Sequence, residues 1–264
     1  MKTLVLDIET GPALGQMWGF WQQDISPKQV RAHPSILCWS AKWLGKKKVW
    51  FEWGFPYDLQ GEYPTREKPM LEALLPLLDE ADAVVGHNLK KFDIPRIRGR
   101  CLVHGLRIPS PYKEIDTLLI ARQKLGFSGN SLEYLAEVLG CTPKGMHKRF
   151  PGWNLWAQCI LNNKKAWKEM KTYNIQDIKT TEEIYMLIRP HAGTHPNFGI
   201  YAEANYPMCP KCGGTVKKDG FYRTNVGKYQ QYQCRTDGCG GWAWTLPNLL
   251  DKGKRKVLLR NVVT

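Results

Sequence analysis

Short apolar runs alternate with helically spaced apolar positions along residues 1–190. Residues 3–9, Thr-Leu-Val-Leu-Asp-Ile-Glu, are apolar or β-branched apart from their two acids and close at Gly11-Pro12, which predicts a buried strand ending in a turn. Residues 36–43 and 49–53 read as two further strands joined through Gly45-Lys46-Lys47-Lys48, a hairpin. From 68 to 82, Met70, Leu71, Leu74, Leu75, Leu77 and Leu78 recur at roughly helical spacing, and Ala83-Val84-Val85-Gly86 follows as a short strand. Helical patterns then cover 93–105, 115–125, 131–139 and 164–189, the last with Ile175, Ile178, Ile184 and Leu187 on one side. Antiparallel strands followed by alternating helix and strand predict an α/β domain with a mixed central sheet.

The pattern stops after Arg189. Residues 190–197 are breakers without periodicity, and beyond them the composition turns to Cys, Gly, Lys and aromatics, with strand-like pieces and a basic end. The expected organisation is a domain over 1–190, a linker over 191–206, a small module over 207–247 and a basic tail over 248–264. An apolar fraction of 43% with 11% aromatics excludes a disordered chain. The net charge of +14 attracts polyanions, of which nucleic acid is the commonest, although charge alone fits a merely solvated basic surface equally well. No stretch of about 18 apolar residues and no long signal-peptide core occurs, so the expectation is a cytoplasmic protein without a membrane partner. In that compartment eight cysteines do not suggest a disulfide framework, and their spacing carries the information.

Asp7 and Glu9 are two apart on a predicted strand, so both carboxylates project from one face near its end. Acids in an otherwise apolar strand are costly unless paired or metal-bound. Tyr173 and Asp177 are four apart in a helical stretch, which brings a phenol and a carboxylate to one side, one turn apart. Asp93 lies where the strand ending Gly86-His87-Asn88 passes through a loop into a helix with Pro95 in its first turn, a position that also suits an ordinary N-cap.

Asp7-Ile8-Glu9-Thr10-Gly11, then His87-Asn88 with Phe92-Asp93, then Tyr173-Asn174-Ile175-Gln176-Asp177 resemble, in this order, the three motifs of the DnaQ-like (DEDD) exonucleases of the ribonuclease-H-like fold, over roughly residues 1–190. Tyr four before the last Asp, with Thr172 rather than His five before it, is similar to the tyrosine subclass. The resemblance implies a 3′→5′ exonuclease that removes nucleotides from single-stranded DNA ends and uses two Mg²⁺ or Mn²⁺ ions. It implies that Asp7 bridges the ions, Glu9 and Asp177 complete one shell, Asp93 holds the second ion, and Tyr173 orients the water. The ligand set is oxygen only, which favours such hard ions over zinc. Alternatives are an exoribonuclease or short-oligonucleotide nuclease and, from another class, a binding or docking module that has lost activity. A proofreading role is expected only in trans, with a replication or repair protein as partner.

Asp116 reads as the cap of the helix after it rather than as another acidic ligand, and His147, in a basic loop with Lys144, Lys148 and Arg149, as either a phosphate contact or, the favoured reading, a solvated side chain. Thr10, Gly11 and Asn88 are candidate nucleic-acid contacts through the family comparison. Trp18, with Phe20 and Trp21, offers either a base-stacking surface or, the commoner outcome, a local core. In the C-terminal segment, Cys209 and Cys212, 21 intervening residues, then Cys234 and Cys239 have a spacing that suits one structural Zn²⁺ in a Cys₄ site similar to a zinc ribbon, with the second pair separated by four residues instead of two. Lys217, Lys218, Arg223 and Tyr229 lie between the pairs, a basic and aromatic mixture suited to single strands. Cys38, Cys101, Cys141 and Cys159 read as core residues.

Overall fold

The computed structural model describes residues 1–21, 24–55 and 66–260, which divide into two compact units, Lys2–Tyr185 and, apart from Met1, Met186–Thr264. The tail's last four residues lie outside the described ones.

The first unit is an α/β layer structure, as the periodicity predicts. Its elements in chain order are β1 (Thr3–Thr10), the short β2 (Leu14–Gly15) and β3 (Val30–Ala32), β4 (Ile36–Trp43), β5 (Trp50–Trp53), α1 (Glu67–Glu80), β6 (Ala83–Gly86), α2 (Asp93–Val103), β7 (Lys113–Asp116), α3 (Thr117–Lys124), α4 (Leu132–Val138), α5 (Asn154–Ile160) and α6 (Lys164–Ile188). The main sheet has the order β5-β4-β1-β6-β7; β4 runs antiparallel to both β5 and β1, and β6 and β7 continue parallel to β1. β7 overlaps the start of the stretch 115–125, whose pattern suggests only helix. Its Lys-Glu-Ile-Asp is too short to show a period of two against the helix that follows directly. α5 carries no expectation at all, because its seven residues, about two turns, show no resolvable repeat.

Burial follows the pleat. Leu4, Leu6 and Ile8 of β1 face α1 and α2, packing with Ile36, Trp39, Leu71, Leu74, Leu78 and Ile97. Fully buried leucines of this kind are each worth about 2–5 kcal/mol against alanine. Glu67, fully buried, accepts hydrogen bonds from the Ile36 N–H at 2.8 Å and from Arg100 Nε at 2.8 Å, which ties α1 and α2 to the start of β4. Leu37 and Cys38 join the second core layer, formed with Leu155 and Cys159 of α5 and Trp167, Met170 and Tyr173 of α6. Cys38, Cys101 and Cys159 are buried, and Cys141 is half-buried.

β1 outruns β6. Their pairing covers Thr3, Leu4 and Val5 only, so Asp7 and Glu9 extend beyond the C-terminal end of β6 while still paired with Ser40 and Cys38 of β4. This leaves both acids where the next loop and helix arrive.

The second unit begins in the last turn of α6. The segment expected as a linker carries 3-10 turns at Arg189–His191 and Phe198–Tyr201, and is hydrogen-bonded to the cysteine loop through Phe198 N–H to the Pro210 carbonyl at 2.9 Å and Lys211 Nζ to the Ala192 carbonyl. Beyond it, β8 (Val216–Thr224), β9 (Gly227–Cys234) and β10 (Trp242–Trp244) form an antiparallel sheet in the order β10-β9-β8, and the basic tail holds α7 (Lys252–Val257), capped by Asp251.

Candidate active site

Three carboxylates meet at the end of β1. Oxygens of Asp7, Glu9 and Asp177 lie within 4.8 Å of one another, an arrangement able to hold a metal ion. Asp177 reaches the strand from α6, because that helix crosses the face toward which β1 turns its odd-numbered residues. Asn174, three residues earlier on α6, donates its Nδ2 to Asp7 Oδ2 at 2.5 Å. Trp156 of α5 donates Nε1 to Glu9 Oε2 at 3.2 Å.

Asp93 stands beside this trio rather than within it. It is the first residue of α2 after Phe92, so the N-cap reading fails; its Oδ1 instead accepts the Ile8 N–H at 3.1 Å, the backbone group between Asp7 and Glu9. Its charge remains close enough to be the strongest neighbouring influence on Asp7.

Four acids packed together hold their protons tightly, and Lys144 beside Asp177 offsets only part of their burial and mutual repulsion. Burial first, then the charges of Asp93, Glu9 and Asp177, push Asp7 well above the usual carboxylate range. Burial, then Asp177, lifts Glu9 to about 8; burial raises Asp93 to about 7 and Asp177 to about 6. Hard divalent cations relieve this repulsion, and the donor set, all carboxylate oxygen, fits them.

Tyr173 is buried, one turn before Asp177. Burial foremost, then the charge of Asp177, pushes its phenol up, so it stays protonated and donates a hydrogen bond toward Asp177. Its ring stands edge-on to His147 at 5.3 Å and Trp156 at 5.9 Å. His147 is therefore not solvated: it is half-buried, with Nδ1 2.8 Å from the Phe150 carbonyl, and Trp156, on the helix the pattern did not signal, supplies its cover. Lys144 places Nζ 3.7 Å from Asp177 Oδ2 and 5.2 Å from the Tyr173 ring centroid. Gly145 lies directly on α6; a Cβ there would meet the Tyr173 Cα at 3.0 Å, and only this approach lets the Gly145 N–H reach Asp177 Oδ1 at 3.4 Å. Tyr173, His147 and Lys144 line a cavity of about 330 Å³ together with Met146 and Gly152.

The loop carrying Asn88 is clasped from β7. Asp116 accepts N–H groups from Asn88 and Lys90 at 3.1 Å each, and from Leu118 at 3.0 Å and Leu119 at 3.3 Å at the start of α3. Asn88 adopts a left-handed backbone, φ 64°, and Gly86 leaves no room for a Cβ, which would sit 2.9 Å from the Leu6 carbonyl. Asp116→Ala removes the acceptor of four partly buried N–H groups, so we expect a loss of about 1–2 kcal/mol in urea unfolding. Unchanged urea unfolding would show that the clasp is dispensable.

Of the other expected contacts, Thr10 is half-buried at the end of β1, and Gly11 is buried with its N–H on the Ser35 carbonyl at 2.8 Å. Trp18 and Phe20, 97% and 90% exposed, form no local core, and Trp21 is also exposed. Lys217, Lys218 and Arg223 are exposed on β8 and Tyr229 is half-buried on β9. The register turns Tyr222, Tyr229 and Trp244 to one face, where Trp244 lies 5.2 Å from Tyr222 and 4.6 Å from Tyr229, while Lys228 covers Phe221 at 4.0 Å on the other.

The four C-terminal cysteines also converge. Cys209, Cys212, Cys234 and Cys239 bring their sulfurs within 4.8 Å of one another, with Cys209 to Cys239 at 3.8 Å and Cys212 to Cys234 at 3.5 Å. Four sulfurs about 2.3 Å from one tetrahedral ion stand about 3.8 Å apart, so the cluster is compatible with a zinc ribbon. N–H groups of Gly214 and Thr236 point at Cys212 and Cys234 Sγ at 3.3 and 3.4 Å. Burial raises Cys234, but hydrogen bonds from Thr236 and neighbouring thiols outweigh it and bring the thiol down to about 7.

A mixed sheet with antiparallel and parallel halves, flanked by helices and carrying clustered acids at the end of its central strand, defines a ribonuclease-H-like protein. The chain belongs to the RNase_H superfamily, whose model RNase_H_2 matches residues 54–189. Asp7 and Glu9 lie N-terminal to the matched segment, and Asp93, Tyr173 and Asp177 lie inside it. Among solved structures, the family B DNA polymerase from the hyperthermophilic archaeon Pyrobaculum calidifontis is similar with a TM-score of 0.48 and 14% identity, over 72% of this chain and 25% of that one. No curated protein matches the chain. Among the described residues, no helix is long and apolar enough to cross a membrane.

Proposed function

We propose that the protein is a metal-dependent 3′→5′ exonuclease of the DnaQ-like tyrosine subclass, acting on single-stranded DNA ends. The observation that carries this reading is the convergence of Asp7, Glu9 and Asp177 within 4.8 Å, one helical turn from the Tyr173 hydroxyl. Membership of the RNase_H superfamily supports nuclease activity in general.

Asp7, Glu9 and Asp177, with Asp93 adjoining, would hold two Mg²⁺ or Mn²⁺ ions, which when bound supply an activated water and neutralise charge on the leaving 3′ oxygen. Tyr173 keeps its proton and positions the nucleophile by hydrogen bond, a role its elevated pKa suits better than that of a base. Asn174 and Trp156 orient Asp7 and Glu9. The cavity beside Tyr173 and His147 takes the terminal nucleotide, with Thr10, Gly11 and Asn88 at the approach and the exposed Trp18 as a stacking surface. Residues 1–190 form the catalytic part in this reading. Residues 207–247 form a zinc-stapled module whose Lys217, Lys218, Arg223 and Tyr229 hold the strand.

The test is a time course on matched single-stranded DNA and RNA labelled at the 5′ end, with Mg²⁺ or Mn²⁺. A ladder shortening one nucleotide at a time from the 3′ end is expected, on DNA above RNA. Endonucleolytic bands, or persistence of both substrates, would overturn the proposal.

A further inference from the structure

Away from the acidic cluster, α6 concentrates positive charge on its other side. Lys164, Lys168, Lys171 and Lys179 advance by three, four or eight positions and so share one stripe, whereas Tyr173, Asn174 and Asp177 point to the catalytic side. The four lysines line a cavity of about 650 Å³ closed on its other wall by Trp53 of β5. All four are exposed, and among the described residues none forms an ion pair. Acids on the same helix are engaged elsewhere: Glu169 with the Arg149 N–H, Glu182 with Lys42, and Glu183 with Thr142.

The stripe is costly without a ligand. Lys164 with Lys168, and Lys168 with Lys171, are like charges at i,i+4 and i,i+3, which destabilise a helix. Lys171 is nonetheless anchored at the recess, its Nζ 5.5 Å from the Phe51 ring centroid and 5.8 Å from that of Trp53. From Lys164 to Lys179 the charges extend along roughly 22 Å of helix, a linear array that suits a chain of phosphates better than a single small anion.

We infer that this groove is a second, non-catalytic site that takes the phosphodiester backbone of a nucleic-acid strand, with Trp53 presenting a ring to a base. The inference rests on the nucleic-acid reading above for the identity of the polyanion, and it places part of a long substrate on the far side of α6 from the reacting end.

The experiment is fluorescence anisotropy with labelled oligothymidylates of about 5 and about 30 nucleotides, at the lower end of the range of single-strand site sizes and well beyond it. The protein is the full chain carrying Asp7→Asn, so that nothing is cleaved. Adding Lys168→Glu and Lys171→Glu should weaken the long strand about tenfold or more and reduce the salt slope by about 1.4, the share of two phosphates, while leaving the short strand unaffected. The neutral pair Lys168→Gln and Lys171→Gln should shift both quantities in the same direction by a smaller amount, and it serves if the charge reversal disturbs folding. Unchanged affinity and slope for the long strand overturn the groove, as does equal weakening of both lengths. So does oligoglutamate displacing the long strand more effectively than unlabelled oligothymidylate, which would assign the groove to an acidic protein segment. Failure of the parent to bind either oligonucleotide would instead count against the nucleic-acid reading itself.

Discussion

Glu9→Gln is expected to abolish hydrolysis and, at the same time, to raise the melting temperature of the metal-free protein. Glu9 sits half-buried beside Asp7 and Asp177, with its carboxyl at about 8, and Asp93 and Asp177 stand at about 7 and about 6. Unfolded, such groups titrate near about 4. Between roughly pH 4 and pH 8 the folded, metal-free chain therefore binds more protons than the unfolded one, and its stability falls as pH rises through that window. Glutamine keeps an acceptor for Trp156 and removes one buried charge, a gain of about 1–3 kcal/mol near pH 8. A bound cation has the opposite dependence, because it requires the deprotonated site and binds only the folded chain. Mg²⁺ should then raise the melting temperature of the unsubstituted protein more at about pH 8 than at about pH 6, and Glu9→Gln should shrink that gain. Activity should drop by at least about 10³-fold, because the acids act as a unit. Thermal melts in chelator and in Mg²⁺ at both pH values, alongside the degradation assay, check this. A variant that melts below its parent in chelator would show that the acids stabilise the fold without a metal.

The second large effect is expected at the cysteines. Cys209→Ser, or a strong chelator, should unfold residues 207–247 while the unit Lys2–Tyr185 melts unchanged. Outside the cysteines and Val216 the C-terminal sheet buries little: β8 is exposed along most of its length and β10 at both tryptophans. So small a core does not fold without a staple, and a structural zinc site contributes about 10–16 kcal/mol. One zinc per chain by elemental analysis, and protease cleavage confined to the C-terminal segment after chelation, are the expected results. A metal-free protein whose C-terminal segment resists protease equally well would refute the zinc assignment.

Legibility in the sequence followed the length and regularity of each element. β1, β4, α1 and α6 each present enough repeats to fix a face, and the strand motif at Asp7 and Glu9, the helix motif at Tyr173 and Asp177, and the cysteine spacing all sit on or between such elements. β7 and α5 are too short to declare a period; Asp116 at the end of β7 is legible as a helix cap, whereas Trp156 of α5 carries no signal of its role. The Trp156 hydrogen bond to Glu9 spans 147 positions of sequence, and no local pattern announces it. Asn174 lies inside a motif that is legible, yet its service to Asp7 depends on where α6 crosses β1. Lys144 and His147 were visible only as members of a basic loop; their engagement with Asp177 and Tyr173 comes from Gly145 resting on the helix.

The trio of carboxylates draws on both ends of one unit, with Asp7 and Glu9 from its first strand and Asp177 from its last helix. A ribosome that has delivered the strand but not yet the helix has therefore made a polypeptide with no complete reaction centre. During synthesis the three carboxylates can be brought together only late, once the closing helix has been made and has docked.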